Sequence, residues 1–259
     1  MKILLQTIVC ISLYTTNCQA IEKNNKCEII TISKQSNIIA LENQLINEYK
    51  LAQNDYELAE KFAKSFQKII QENPETLNYS FKKLLAETNI YISSSSDGKL
   101  RIYSWDNNTG GTMRYFDQII QLNDNGKINS KLKIASEDAQ SYVSKIYSLK
   151  NKKKQTIYFT INNAIYSNSA VSQNINAYTI SANNLVQAKA FKTKKKSLFS
   201  IDCPYDFFSV VDRPERPVDL IKIKNNNLYI PLINEKDVVT SKNLIYKWDG
   251  NIFKYQGIK

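Results

Sequence analysis

The side chains best placed to do chemistry are Arg101, Tyr103 and Trp105, in the stretch SDGKLRIYSWDNNTGGTMRYF. Successive residues of an extended chain point to opposite faces. An arginine and two aromatics therefore share one face here, with Leu100 and Ile102 on the other. Arginine and large aromatics dominate recognition hot spots. A polar loop, Asp106 to Gly111, follows at once, and Arg114 lies just beyond it. The candidate binding set is Arg101, Tyr103, Trp105, Asp106, Asn108, Gly110, Gly111 and Arg114. The competing reading is a half-buried strand, where aromatics are favoured in any case. Asp106, Asn108, Gly111 and Asp117 also fall at the first, third, sixth and twelfth positions of a calcium-loop spacing. Gly110 stands where a ligand is needed, the twelfth residue is Asp, and strands are expected on both sides, so no metal is expected.

The missing groups narrow the chemistry further. The chain has no histidine, which removes Ser-His-Asp and Cys-His nucleophile systems and, with so few cysteines, any zinc cluster. There is no G-x-S-x-G elbow, phosphate-binding loop or dinucleotide fingerprint, so no cofactor is expected. Hydrolysis by a carboxylate pair needs only two acids at a suitable separation. Among 24 Asp+Glu no local pattern nominates a pair.

The N-terminus reads as an export signal: Lys2, an apolar run from Ile3 to Leu13, and Cys18-Gln19-Ala20 as a small-x-small cleavage site. The run is too short to span a membrane, which takes roughly 20 residues, and no transmembrane segment is expected elsewhere. Cleavage after Ala20 gives a periplasmic or secreted protein; lipidation of Cys18 is the alternative. Cys27 and Cys203 would remain, an even pair in an oxidising compartment, and a Cys27–Cys203 disulfide is expected. The formal charge of +11 suits an anionic surface or polymer. Much of it lies in Lys150–Lys154 and Lys192–Lys196, between strand-like segments, and no nucleic-acid motif accompanies it.

Segments 1–20 (signal peptide), 21–89 (helical) and 90–259 (β-rich) organise the chain. From Ile38 to about Thr88 the apolar period is helical. Asp55 is placed to cap one helix, and Asn73-Pro74 to open another. Beyond Asn89 short alternating segments form six hairpin-like units. Their turns are Asp97-Gly98 (expected as type I′), Asn123–Gly126, the first lysine run, Asn183-Asn184, Asn225–Asn227 and Asp249-Gly250. Glu137 to Leu149 fits a short helix or a strand entry. Ser200 to Pro217, with Cys203-Pro204 and two further prolines, reads as a long loop pinned by the disulfide. The fold class is α+β. Two or three N-terminal helices pack on a large antiparallel β meander, arranged as a sandwich, a coiled sheet or an incomplete propeller.

Ser95, Asp97, Gly98, Lys99, Arg101 to Asp106 and Thr109 to Met113 match the pattern S-x-D-G-K-x-R-I-Y-S-W-D-x-x-T-G-G-T-M. This block resembles a group of uncharacterised secreted bacterial proteins, and its first residues resemble the opening of a β-propeller blade. The resemblance covers about a tenth of the chain and implies secretion and a β-rich body. The functional expectation is a non-enzymatic cell-envelope binding protein with an envelope protein or an anionic surface as partner. The alternatives are a carboxylate-dependent hydrolase of envelope glycan and a periplasmic immunity protein against a toxin.

Overall fold

The computed structural model describes residues 37–135, 140–215 and 217–259. The chain divides into the units Met1–Gln44 and Leu45–Lys259. The signal-like segment and Cys27 lie outside the described residues. Within the described residues the fold is α+β, with an N-terminal helical region followed by antiparallel sheets.

Helix α1 covers 37–52 and helix α2 Tyr56–Glu72, with Asp55 accepting a hydrogen bond from the Leu58 amide at 3.0 Å as the expected cap. Pro74 does open the next element, but Pro74–Leu77 is one 3-10 turn. Asn73 does not cap it; its amide donates back to the Ile69 carbonyl and closes α2 instead. The helical period expected to run on to about Thr88 is then broken at Phe81, which is left-handed at φ 46° and starts the short helix α3, Lys82–Glu87. Leu85 faces solvent in consequence.

The first strands are β1 Tyr91–Ser94, β2 Leu100–Asp106, β3 Phe116–Asp124 and β4 Lys127–Lys133. Then follow β5 Tyr142–Lys150, β6 Thr156–Ile165, β7 Ala170–Ser181, β8 Asn184–Gln187, β9 Phe191–Lys192 and β10 Ser197–Leu198. The last are β11 Ser200–Asp206, β12 Lys222–Lys224, β13 Asn227–Ile233, β14 Val239–Trp248 and β15 Phe253–Ile258. They form three sheets, β1-β2-β3-β4, β11-β7-β6-β5 with β8 on β7, and β10-β9-β15-β14-β13-β12. The β15–β9 pair is parallel, an exception to the expected antiparallel meander.

The layers stack through alternation. Leu100, Ile102 and Leu122 of the first sheet meet Val143, Ile146 and Tyr158 of the second. The opposite face of β6, Ile157, Phe159 and Ile161, packs on Phe191, Leu228, Ile230 and Phe253 of the third. Strand β6 is therefore buried on both sides, from Ile157 through Ala164.

Two local expectations change. At Asp97-Gly98 only Gly98 has positive φ, and its amide donates to the Ser95 carbonyl at 3.0 Å. The turn is therefore not type I′, which needs positive φ at both central residues, but the longer kind that ends on one left-handed residue. Second, Ser200–Asp206 is a strand, not a loop. It pairs with β7 at the edge of its sheet, the position where Pro204, lacking an N–H, is tolerated. Among the described residues there is no disulfide, and Cys203 is a free thiol 3% exposed in the core. Burial, with Asp202 beside it, pushes the thiol up to about 12, which leaves it protonated and unreactive.

Candidate functional site

The alternation of β2 is as the sequence predicts, but its Arg-Tyr-Trp face is covered. Arg101, Tyr103 and Trp105 are 8%, 0% and 2% exposed. Trp105 packs on Phe62 and Phe66 of α2, and Tyr103 on Phe66 and Phe81. Arg101 donates to the carbonyls of Thr76, at 2.6 Å, and Tyr79, and its Nε donates to Ser94 Oγ. The Tyr103 hydroxyl contacts Thr76 O and Gln121 Oε1, and burial pushes this phenol up to about 12. This face is the seat of the protein's own helical layer. Two aromatics and a guanidinium match a helix stripe and the carbonyls of a 3-10 turn as well as they match a foreign partner, so it is not a recognition surface.

The Asp106–Gly111 loop does reach the surface. Asp106 accepts from the Asn108 amide and pairs with Arg114 at 3.2 Å. Asn108 donates to Gln53 Oε1. Gly110 is demanded by sterics, because a Cβ there would lie 2.0 Å from the Met113 carbonyl oxygen; at Gly111 nothing constrains the residue. The calcium arrangement does not form. Asp117 is buried and accepts instead from Asn107 Nδ2 and the Ala135 amide, each at 2.9 Å, while Asp106 turns to Arg114.

Asn107, Thr109 and Asp117 line a cleft of about 220 Å³ whose other wall is Tyr56, Glu60 and Ala63 of α2. Burial raises the Asp117 pKa above the ordinary carboxylate range, and Lys64 lowers that of Glu60. Because the folded pKa of Asp117 is raised, its contribution to stability is present at low pH. That contribution is lost as the pH rises through the folded value. Asp117→Asn keeps an oxygen for both donors and removes the buried charge. Thermal melts across pH should show the variant gaining on the wild type from the ordinary carboxylate range upward; parallel curves would contradict this.

The third sheet carries a feature with no local signal. Register places Lys192 beside Lys254, Lys254 beside Lys247, Lys247 beside Asn227 and Asn227 beside Lys224. The alternate residues of these strands, including Phe191, Phe253, Trp248, Tyr246 and Leu228, fill or pack on the core. The lysines therefore occupy the outer face, in a row across five strands that spans roughly 19 Å at the usual strand spacing. Lys254 is paired with Asp249 at 2.9 Å, while Lys192, Lys224 and Lys247 have no carboxylate partner among the described residues. Alongside runs an open groove of about 480 Å³ lined by Arg213, Lys222, Lys224, Tyr229, Thr240 and Asn243.

No family model, curated protein or solved structure matches the chain.

Proposed function

We propose that this is an exported, non-enzymatic binding protein whose ligand is an acidic polysaccharide of the cell envelope, held on the outer face of the third sheet. The lysine row carries the reading. Like charges directly opposite one another on neighbouring strands are destabilising. Lysines do protect exposed sheet edges, but Lys247 and Lys254 stand on interior strands of this sheet. A row of ammonium groups of which only Lys254 has a carboxylate partner is stabilised when a polyanion lies across it and displaces small counterions. The neighbouring Tyr229, Thr240 and Asn243 supply an aromatic body and polar groups suited to sugar rings. The N-terminal signal-like pattern and the resemblance of the Ser95–Met113 segment to secreted proteins support export.

Polygalacturonate is a suitable probe. Lys192→Glu/Lys224→Glu/Lys247→Glu should weaken binding at least tenfold. The salt dependence of log affinity should fall by about one per lysine removed. Equal affinity of variant and wild type sinks the assignment, and stronger binding to phosphatidylglycerol vesicles than to the polysaccharide replaces it with a membrane surface. Export is checked separately by mass spectrometry of the protein recovered from cells, which should begin at Ile21. An intact Met1 in the cytoplasm contradicts it, and a lipid-modified Cys18 makes the protein a lipoprotein.

A second reading has one observation in its favour: Asp117 and Glu60 face one cleft with pKa values moved in opposite directions, the arrangement from which acid–base pairs are built. Release of reducing ends from an envelope glycan, abolished in Asp117→Asn, would establish a hydrolase.

A further inference from the structure

The gap between the first two sheets is sealed along most of its length by Leu100, Ile102, Val143 and Tyr158. At β4 it opens into a cavity of about 290 Å³, between that strand and the β7–β8 hairpin. Its floor continues the core, since Ile120 and Leu185 pack against the same apolar cluster to which Leu122 belongs. Its mouth is cationic: Lys131 lies opposite Ile120 in the β3–β4 register, and Lys133 opposite Gln118. Neither lysine has an ion-pair partner among the described residues. Lys133 is exposed as a residue, yet burial around its ammonium lowers its pKa. At the far wall the Asn183 backbone amide is tied to Asp124 at 2.9 Å.

Inward-pointing lysines on an edge strand have a simpler use, as a guard against edge-to-edge association, and β4 is an edge. That use accounts for the charges. It does not account for an apolar cavity beneath them.

We infer that this cavity is a binding site for a single-chain anionic amphiphile, an alkyl or acyl chain ending in a phosphate or carboxylate. The chain would lie on Ile120, Leu122 and Leu185. The head group would meet Lys131 and Lys133. A cavity of this size, mostly apolar with a few convergent polar groups, has the general form of a small-molecule site. The site is separate from the lysine row of the third sheet and does not depend on that reading.

The test is calorimetric titration with octyl phosphate below its micelle concentration. Saturable one-to-one binding is expected. It should weaken roughly tenfold or more in Lys131→Gln/Lys133→Gln, and disappear in Leu185→Trp, which fills the cavity with apolar bulk. Circular dichroism and melting temperature should confirm that both variants fold. Lys224→Glu/Lys247→Glu should bind octyl phosphate like the wild type. The inference is overturned if binding does not saturate, or if inorganic phosphate binds as well, since the chain then contributes nothing. It is equally overturned if octyl maltoside binds as well, or if the Lys224→Glu/Lys247→Glu variant is the one that loses affinity, which would move the ligand to the third sheet.

Discussion

Arg101→Ala should be among the most destabilising single substitutions in the protein, costing about 3–5 kcal/mol. The guanidinium is buried between the first sheet and the 3-10 turn and donates to two carbonyls, those of Thr76 and Tyr79, which lie in and just after that turn. It also lies 5.9 Å from the centre of the Tyr103 ring. Truncation leaves both carbonyls buried without this donor and opens a space beneath the 3-10 turn. The Thr76 carbonyl keeps the Tyr103 hydroxyl, at 3.1 Å, and the Tyr79 amide, at 3.4 Å. Arg101→Lys recovers little, because one ammonium cannot reproduce the fork that reaches two carbonyls and Ser94 together. Urea unfolding of both variants measures this. A loss below about 1 kcal/mol for the alanine variant would mean that the helical layer is held by Phe62, Phe66 and Trp105 alone. Selective hydrogen exchange in α2 would show which element is released first.

The same residue marks what can and cannot be read from the sequence. Strand β2, its parity and the set Arg101, Tyr103 and Trp105 on one face follow from alternation alone. Which object covers that face does not, because a covered and an open aromatic face share one local pattern. The hairpins at Asn183, Asn225-Asn226 and Asp249-Gly250 are legible because residues that tolerate positive φ sit at the turns. The β6–β7 reversal, Tyr166–Ser169, carries only the weaker mark of Ser167-Asn168-Ser169, and Asn168 does not take positive φ there. The described residues there hold neither glycine nor proline, and the turn is closed by Ser167 and Ala170. Phe81 is illegible for the opposite reason: a bulky residue at φ 46° is held there by its burial between Tyr79 and Tyr103, against local preference. Pro204 was enough to exclude a central strand and not enough to exclude an edge. The lysine row lies furthest from the sequence. It exists only once β9 has paired in parallel with β15, some sixty residues later, and composition alone does not reveal that register.

Gln173→Leu should rival Arg101→Ala in effect. Gln173 is fully buried on β7, and all four of its hydrogen bonds are made inside the protein. Its Nε2 donates to Asn163 Oδ1 and to the Val218 carbonyl, each at 2.8 Å. Its Oε1 accepts from the amides of Leu220, at 3.1 Å, and Ile221, at 2.7 Å. One side chain thus satisfies three backbone groups of the segment that leads from the prolines into β12, a segment with no sheet partner of its own. Leucine has nearly the same volume, so packing changes little and the loss isolates the polar term. Three backbone groups left buried and unpaired, at about 1–3 kcal/mol each before relaxation, give an expected loss of roughly 3 kcal/mol or more. Gln173→Glu should fall between the two. It keeps the acceptor for both amides but, when ionised, places a carboxylate against the Val218 carbonyl, so its deficit should shrink as the pH is lowered. Because Val218 and Leu220 pack with Val171, Tyr205 and Val210, the damage should spread to β11. Chemical modification offers an independent measure, since Cys203 lies on that strand. Its protected thiol should react with a maleimide faster in Gln173→Leu than in the wild type under native conditions. Equal rates, together with an unchanged urea midpoint, would show that solvent or relaxed backbone geometry replaces the lost bonds and that the glutamine is not the clamp its contacts describe.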